Sequence, residues 1–126
     1  MNTQKSITVV GISGSLRPNS HTLKTVQIAL NGALDAGAHT QLIDLNDFHL
    51  PLCNGNTPDS NYPENVFKLR EIVLNANGII LGTPEYHGGV SGVLKNALDL
   101  LGIKNLIIRW LDWWGLPGAR RAQFIL

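Results

Sequence analysis

Between Ile7 and Thr22, in the run ITVVGISGSLRPNSHT, Gly11, Gly14, several hydroxyls and Arg17 crowd the place where an apolar stretch gives way to a polar one. Those residue types suit an anion. A Gly/Ser turn exposes backbone N–H groups, a helix starting there turns its positive dipole end toward them, and a guanidinium adds a fixed charge with a planar fork of donors. A phosphate is the natural guest of such a turn. Spacing excludes two better-known phosphate loops. A nucleotide P-loop needs Gly, four residues and Gly-Lys-Ser/Thr, and a dinucleotide fingerprint needs Gly-x-Gly-x-x-Gly. Here the glycines are Gly11 and Gly14, with no lysine between Gly11 and Lys24. On residues alone, an ordinary strand-to-helix turn that favours Gly, Ser and Pro fits equally well.

The elements that must position this turn can be read in order. Ile7, Val9 and Val10 belong to a short β-forming run, as in a strand buried on both faces of a parallel sheet. Ser20 or Asn19 can cap a helix whose Leu23, Val26, Leu30, Ala33 and Leu34 share one face and which ends near Gly37. His39 to Leu45 reads as a second strand, closing a β-α-β unit whose crossover implies parallel pairing. Asn46 to Pro63 holds three prolines and Gly55 and is expected to be a long loop, of the kind that serves as a lid or is disordered. Pro63 suits a first helical position, ahead of an inner face of Val66, Leu69, Ile72, Val73 and Ala76. Gly78 to Thr83 is a third buried strand, followed by a second Gly-rich turn, PEYHGGVSG. Ser91 then caps a helix carrying Val93, Leu94, Ala97, Leu98 and Leu101, with Gly102 as its stop.

Strands alternating with helices predict an α/β doubly wound parallel sheet. In such sheets ligands bind outside the carboxyl ends of the strands, at the point where strand order reverses. Both special turns lie at carboxyl ends, and a flavodoxin-like order 2-1-3 makes them neighbours across one crevice. That coincidence favours the phosphate reading over the bland one.

Composition narrows the classes. The 126 residues predict one domain with a sizeable core, and 44% hydrophobic content is that of an ordinary soluble chain. A net charge of +1 gives no reason to expect nucleic acid or an anionic membrane surface as partner. The single cysteine, Cys53, excludes an intramolecular disulfide and suits a reducing compartment. No signal peptide or membrane-length apolar run is visible, so the expected location is the cytoplasm. His21 and His49 are expected at the surface, and no His, Cys or carboxylate pair has metal-ligand spacing. The residues after Cys53 do not form the cysteine–arginine loop of small tyrosine phosphatases. Nor do the strand ends carry the acidic cluster of a response regulator.

The motifs GISGSLRPNS and PEYHGGVSGVLKNALD resemble those of the NADPH-dependent FMN reductase family, the flavodoxin-like quinone, azo-dye and chromate reductases, over Ile7 to Gly102. The resemblance implies an enzyme using FMN and NADPH. It places Ser13, Ser15, Arg17, Ser20 and Thr22 on the FMN phosphate, and Pro84, Glu85, Tyr86, His87 and Gly88 around the ring and ribityl chain. Family members often have Asn where His87 stands. Pro84 and the glycines suit close backbone approach to a flat ring, and Tyr86 offers an aromatic surface at its edge. Hydride transfer of this kind needs positioning and no acid–base side chain, with a small-molecule electron acceptor following the nicotinamide in ping-pong order. The rival readings are a flavodoxin-like FMN-binding or electron-carrier domain without turnover, and a non-functional truncated fragment. No residue for a 2′-phosphate stands out, so NADPH and NADH are not separated. Lys95, Asn96 and Asp99 can either reach a neighbouring subunit of a homo-oligomer or form a solvated helix face.

The tail departs from the pattern. The family sheet has five strands, and only three are legible here. Residues 1–102 carry 6 Lys/Arg and 8 Asp/Glu, net −2, whereas residues 103–126 carry 4 and 1, net +3, with all three tryptophans, Trp110, Trp113 and Trp114. Residues 1–102 are therefore expected to form the FMN-binding part, and 103–126 an atypical tail. Tryptophan has a single codon, TGG. Read one nucleotide back, Trp113, Trp114 and Gly115 become Leu, Val and Gly, a fragment of the missing fourth strand, so the expectation is truncation or a frameshift after about Lys104. The alternative is a genuine short chain with Leu106, Ile107, Trp110 and Trp114 as a packing face. In either case the third strand is expected at a sheet edge, with weak stability, aggregation or self-association, and poor FMN retention.

Overall fold

The structure, a computed structural model, describes residues 6–102 and the strand Ala122–Ile125. Strands β1 (Thr8–Ser13), β2 (His39–Asp44), β3 (Gly78–Pro84) and β4 (Ala122–Ile125) form one sheet in the order β2-β1-β3-β4. β1 pairs in parallel with β2 (Val10 beside Gln41) and with β3 (Ile12 beside Leu81). The order 2-1-3 and the parallel pairing are those expected from the sequence.

Alternation along β1 sorts its side chains between two helical layers. Val10 and Ile12 enter the main core with Ile43, Leu81, residues of α2 (Glu64–Leu74) and residues of α3 (Gly92–Leu101). Gly11, between them, faces α1 (His21–Asp35): a Cβ placed there would lie 2.5 Å from Val26 Cγ1 and 2.8 Å from Leu30 Cδ1. Gly82 of β3 does the same beneath Val26 Cγ2, at 2.3 Å. Two glycines on adjacent strands, Gly82 beside Ser13 and so diagonal to Gly11, thus let α1 settle directly on the backbone through its buried Val26 and Leu30. Gly11 therefore serves packing and lies inside β1, not in the turn that follows.

Helix ends follow their sequence signals. Ser20 Oγ accepts the Leu23 N–H at 3.2 Å and Ser91 Oγ accepts the Leu94 N–H at 3.2 Å, N-caps that stabilise each helix by about 1 kcal/mol. α1 stops at Gly37 (φ +92°), whose N–H goes to the Leu34 carbonyl while Ala38 N–H reaches the Ala33 carbonyl, the paired bonds of a Schellman ending. Pro63 is the N-cap of α2, one position before the place expected, and Leu45 belongs to a 3₁₀ turn (Leu45–Asp47) following β2. On α1, Leu34 is 55% exposed and so stands off the buried stripe that periodicity assigned it.

Two expectations about the periphery change. The segment from Asn46 to Pro63 is pinned rather than loose: Asn96 Oδ1 accepts the Cys53 N–H at 2.8 Å and Asn96 Nδ2 donates to the Pro51 carbonyl at 2.9 Å. One side-chain amide thereby acts as a strand neighbour would. Further along, Arg70 bonds Asp59 at 3.3 Å, lies over the rings of Tyr62 and Phe67, and donates to the Leu100 carbonyl at 2.7 Å. The second correction concerns β3, which is not an edge: β4 pairs antiparallel on its far side, Gly82 beside Phe124. The unpaired N–H and C=O row of a buried strand demands partners, and this short β-forming segment supplies them. The proposed reading-frame change and the Trp-bearing face of residues 103–121 lie outside the described residues.

Candidate functional site

Two turns leave the carboxyl ends of the adjacent strands β1 and β3. The first runs from Ser13 to Ser20. Ser13, Ser15, Ser20 and Thr22 are all buried there, while Arg17 is exposed at the rim. Ser15 Oγ accepts the Arg17 N–H at 3.4 Å, which shapes the turn, and Asn19 (φ +55°) makes the sharp bend into the Ser20 cap. The first turn of α1 carries no acidic residue, so no side chain of that turn offsets the positive end of its dipole. Ser13 Oγ is fully buried and has no hydrogen-bond partner among the described residues. Alternation places Ser13 on the same face as Gly11, beneath α1. A buried hydroxyl left unpaired costs about 1–3 kcal/mol, and a donor-accepting oxygen brought to this spot would remove that cost.

The second turn runs from Pro84 to Ser91. Tyr86 and Gly89 exchange both backbone hydrogen bonds, each at 3.1 Å, so His87 and Gly88 form a two-residue hairpin tip. Both tip residues have positive φ, +53° and +77°, which is the type I′ geometry. That conformation admits Asn, His and Gly far more readily than other residues. His87 therefore meets a backbone requirement, and the presence of an imidazole needs no chemical role. Pro84 and Glu85 are half-buried, whereas Tyr86, His87 and Gly88 are exposed and present a surface to solvent.

The turns touch through a few bonds. Gly14 N–H donates to the Gly82 carbonyl at 2.7 Å, and the Ser91 hydroxyl donates to the Gly14 carbonyl at 2.6 Å. Thr83 Oγ1 accepts the Ser91 N–H at 2.9 Å and donates to the Pro84 carbonyl at 2.9 Å. Gly14 has no room for a side chain: a Cβ would lie 2.7 Å from Leu94 Cβ and 2.9 Å from Ser91 Oγ. The structure thus brings the two predicted clusters, Ser13 to Thr22 and Pro84 to Gly88, to adjoining strand ends. Sequence reasoning took Thr83 only as the end of a strand and Ser91 only as a cap. A hydroxyl at the end of a buried strand, eight residues before another, was the available signal.

Other groups fall outside this crevice. A hollow of about 240 Å³ opens on the β2 side of the first turn, lined by Leu16, Leu45, Asn46, His49, Leu50, Val93 and Asn96, and it receives no residue of the second turn. Of the three polar residues on α3, Lys95 and Asp99 form an exposed ion pair at 2.6 Å, while Asn96 turns inward to the loop. Burial and the adjoining Cys53 thiol push the Tyr62 phenol above its ordinary value of 10.0. Among the described residues no three His, Cys, Asp or Glu side chains group as a metal site, and no helix is long and apolar enough to cross a membrane.

Comparison with known proteins bears on the family and the fold. The family model for NADPH-dependent FMN reductases matches residues 7–113. An NAD(P)H-dependent FMN reductase of Pseudomonas aeruginosa is 38% identical over 93 residues, 74% of this chain and 49% of the relative. An FMN-dependent NADPH-azoreductase of Staphylococcus aureus is 37% identical over 93 residues, 71% of this chain and 50% of the relative. Among solved structures, the flavoenzyme NAD(P)H:(acceptor) oxidoreductase FerB of Paracoccus denitrificans superposes with a TM-score of 0.62 at 28% identity, over 75% of this chain and 50% of that one. The chain spans about half the length of these relatives.

Proposed function

The chain belongs to the NADPH-dependent FMN reductase family, and from that premise we propose that its two turns form the FMN site of an NAD(P)H-dependent oxidoreductase. Ser13, Ser15, Arg17, Ser20 and Thr22 hold the phosphate, and Pro84, Glu85, Tyr86, His87 and Gly88 border the ring and ribityl chain. The observation that carries this reading is the fully buried Ser13 hydroxyl on the α1 face of the sheet, without a hydrogen-bond partner among the described residues, together with an α1 first turn free of acidic residues. A phosphate oxygen satisfies that hydroxyl, and the α1 dipole and Arg17 balance the charge. FMN, when bound, supplies the hydride-accepting and electron-donating chemistry. The protein's share is position: the turns fix where a ring can lie, and the exposed surface of Tyr86, His87 and Gly88 leaves one side open to a nicotinamide and then to a small acceptor of the quinone, flavin, azo or metal-oxyanion class. The proposal includes self-association and a cytoplasmic setting, the latter in keeping with a single free thiol, Cys53.

Flavin fluorescence titration of the full chain tests the reading. FMN is expected to bind at least tenfold more tightly than riboflavin, which lacks the phosphate ester. Ser13→Ala is expected to leave the ligand-free protein as stable as before, or more so, while weakening FMN about tenfold. Equal binding of FMN and riboflavin would defeat the assignment. Steady-state NADPH oxidation with a quinone distinguishes a reductase from an electron carrier, which would bind FMN without turning over.

A further inference from the structure

The bonds between the turns do more than cap a helix. Ser91 sits at the start of α3, 1% exposed, and its hydroxyl serves two masters: it accepts the Leu94 N–H at 3.2 Å as an N-cap and donates to the Gly14 carbonyl at 2.6 Å. Its own N–H is fixed in turn by Thr83 Oγ1 at 2.9 Å, at the strand end from which the second turn departs. Capping alone requires only an acceptor; the hydrogen donated to Gly14 is surplus to it. Gly14, for its part, is held on both polar atoms, N–H to Gly82 and C=O from Ser91, so the first turn is locked to β3 and α3 immediately before Ser15. We propose that Ser91 is a positioning residue that holds the first turn in register with the second, so that one ligand carrying a phosphate at one end and a flat ring at the other meets both as a single rigid body.

The inference rests on the FMN reading for the ligand, but the tie itself is a property of the ligand-free protein. A tie of this kind acts on affinity by removing misaligned states before binding, since a site competent for only a fraction of the time loses affinity by that fraction. Its effect is therefore specific to a ligand that spans both turns. Riboflavin, which reaches only the ring side, does not need the alignment.

Ser91→Gly separates the two duties, because glycine is nearly as good a cap residue as serine but has no hydroxyl to give Gly14. In the full chain we expect Ser91→Gly to weaken FMN about tenfold while riboflavin changes by less than about twofold, narrowing the ratio of their Kd values. Ser91→Thr, which restores the hydroxyl, is expected to restore the ratio. In the ligand-free chain, amide hydrogen exchange at Gly14 is expected to quicken about tenfold in Ser91→Gly, with the amides of Ala97 to Leu101 unchanged. Equal weakening of FMN and riboflavin, or unchanged exchange at Gly14, overturns the proposal. If neither flavin binds the unaltered chain, the FMN reading fails, and the exchange at Gly14 still decides whether the tie exists.

Discussion

Replacing Gly82 by alanine tests the packing on which the crevice depends. A Cβ at this position would lie 2.3 Å from Val26 Cγ2 and 3.1 Å from Thr22 Cγ2, where carbon atoms at rest stay about 3.5–4.0 Å apart. Val26 is β-branched and held to one strongly preferred rotamer in a helix, and its other methyl, Cγ1, also faces the sheet, over Gly11. The helix must lift by about 1 Å or more. Overpacking of this sort costs about 1–3 kcal/mol, offset in part by about 0.4–1 kcal/mol from the stiffer unfolded chain, so a net loss of roughly 1–2 kcal/mol is expected. Val26→Ala removes both methyls at a cost of about 2 kcal/mol on its own. The double variant Gly82→Ala/Val26→Ala should then be more stable than the sum of the two by about 1 kcal/mol or more, because the new methyl fills the space vacated. Urea unfolding of all four proteins, followed by circular dichroism, reads these differences as midpoint shifts of roughly 0.5–1 M. Additivity within about 0.3 kcal/mol, or a Gly82→Ala protein as stable as the parent, would show that α1 does not rest on the sheet as described.

Three further outcomes are expected. At the hairpin tip, His87→Asn should leave the protein unchanged, whereas His87→Val should cost about 1–2 kcal/mol of left-handed strain and speed amide exchange at Tyr86 and Gly89. Asn96→Ala frees the Pro51 carbonyl and the Cys53 N–H together, and alkylation of Cys53 by iodoacetamide should quicken at least fivefold without loss of helix content. The raised phenol of Tyr62 binds its proton more tightly in the folded protein than in the unfolded chain. Its contribution to stability is therefore whole below about pH 10 and is lost as pH climbs through the raised value. Absorbance titration at 295 nm should show one tyrosine ionising late, and Cys53→Ser should bring it earlier.

Much of this arrangement was legible in the chain because local signals agreed with one another. Ser20, Ser91 and Gly37 marked helix ends by hydrogen-bonding chemistry that does not depend on tertiary context, and apolar periodicity found Val26, Leu30, Leu69 and Leu94. The neighbouring of the two turns followed from parallel pairing and strand order. What could not be read was the partner of a residue whose type serves several ends. A glycine accommodates a tight turn or a close-packed helix equally well, so Gly11 passed for part of the cradle although Val26 and Leu30 press on it. Asn96 looked like one more polar residue on an exposed helix face, because its targets, Pro51 and Cys53, lie more than forty positions away. The pairing of β4 against β3 was hidden for the same reason, with an antiparallel return too distant for periodicity to reveal.

The bond between Ser91 and Gly14 joins residues 77 positions apart, and this gives the crevice a place in time as well as in space. A chain emerging from the ribosome can form β1, α1 and β2 from local contacts, yet its Ser/Arg turn lacks the strand end and helix start that lock it. Closing so long a loop is entropically costly until β3 has paired and α3 has docked. A nascent chain arrested before Ser91 should therefore carry every residue of the first turn and hold an anion poorly. Affinity should arise in one step once α3 is free to fold, making ligand capture a clock for the docking of the third helix.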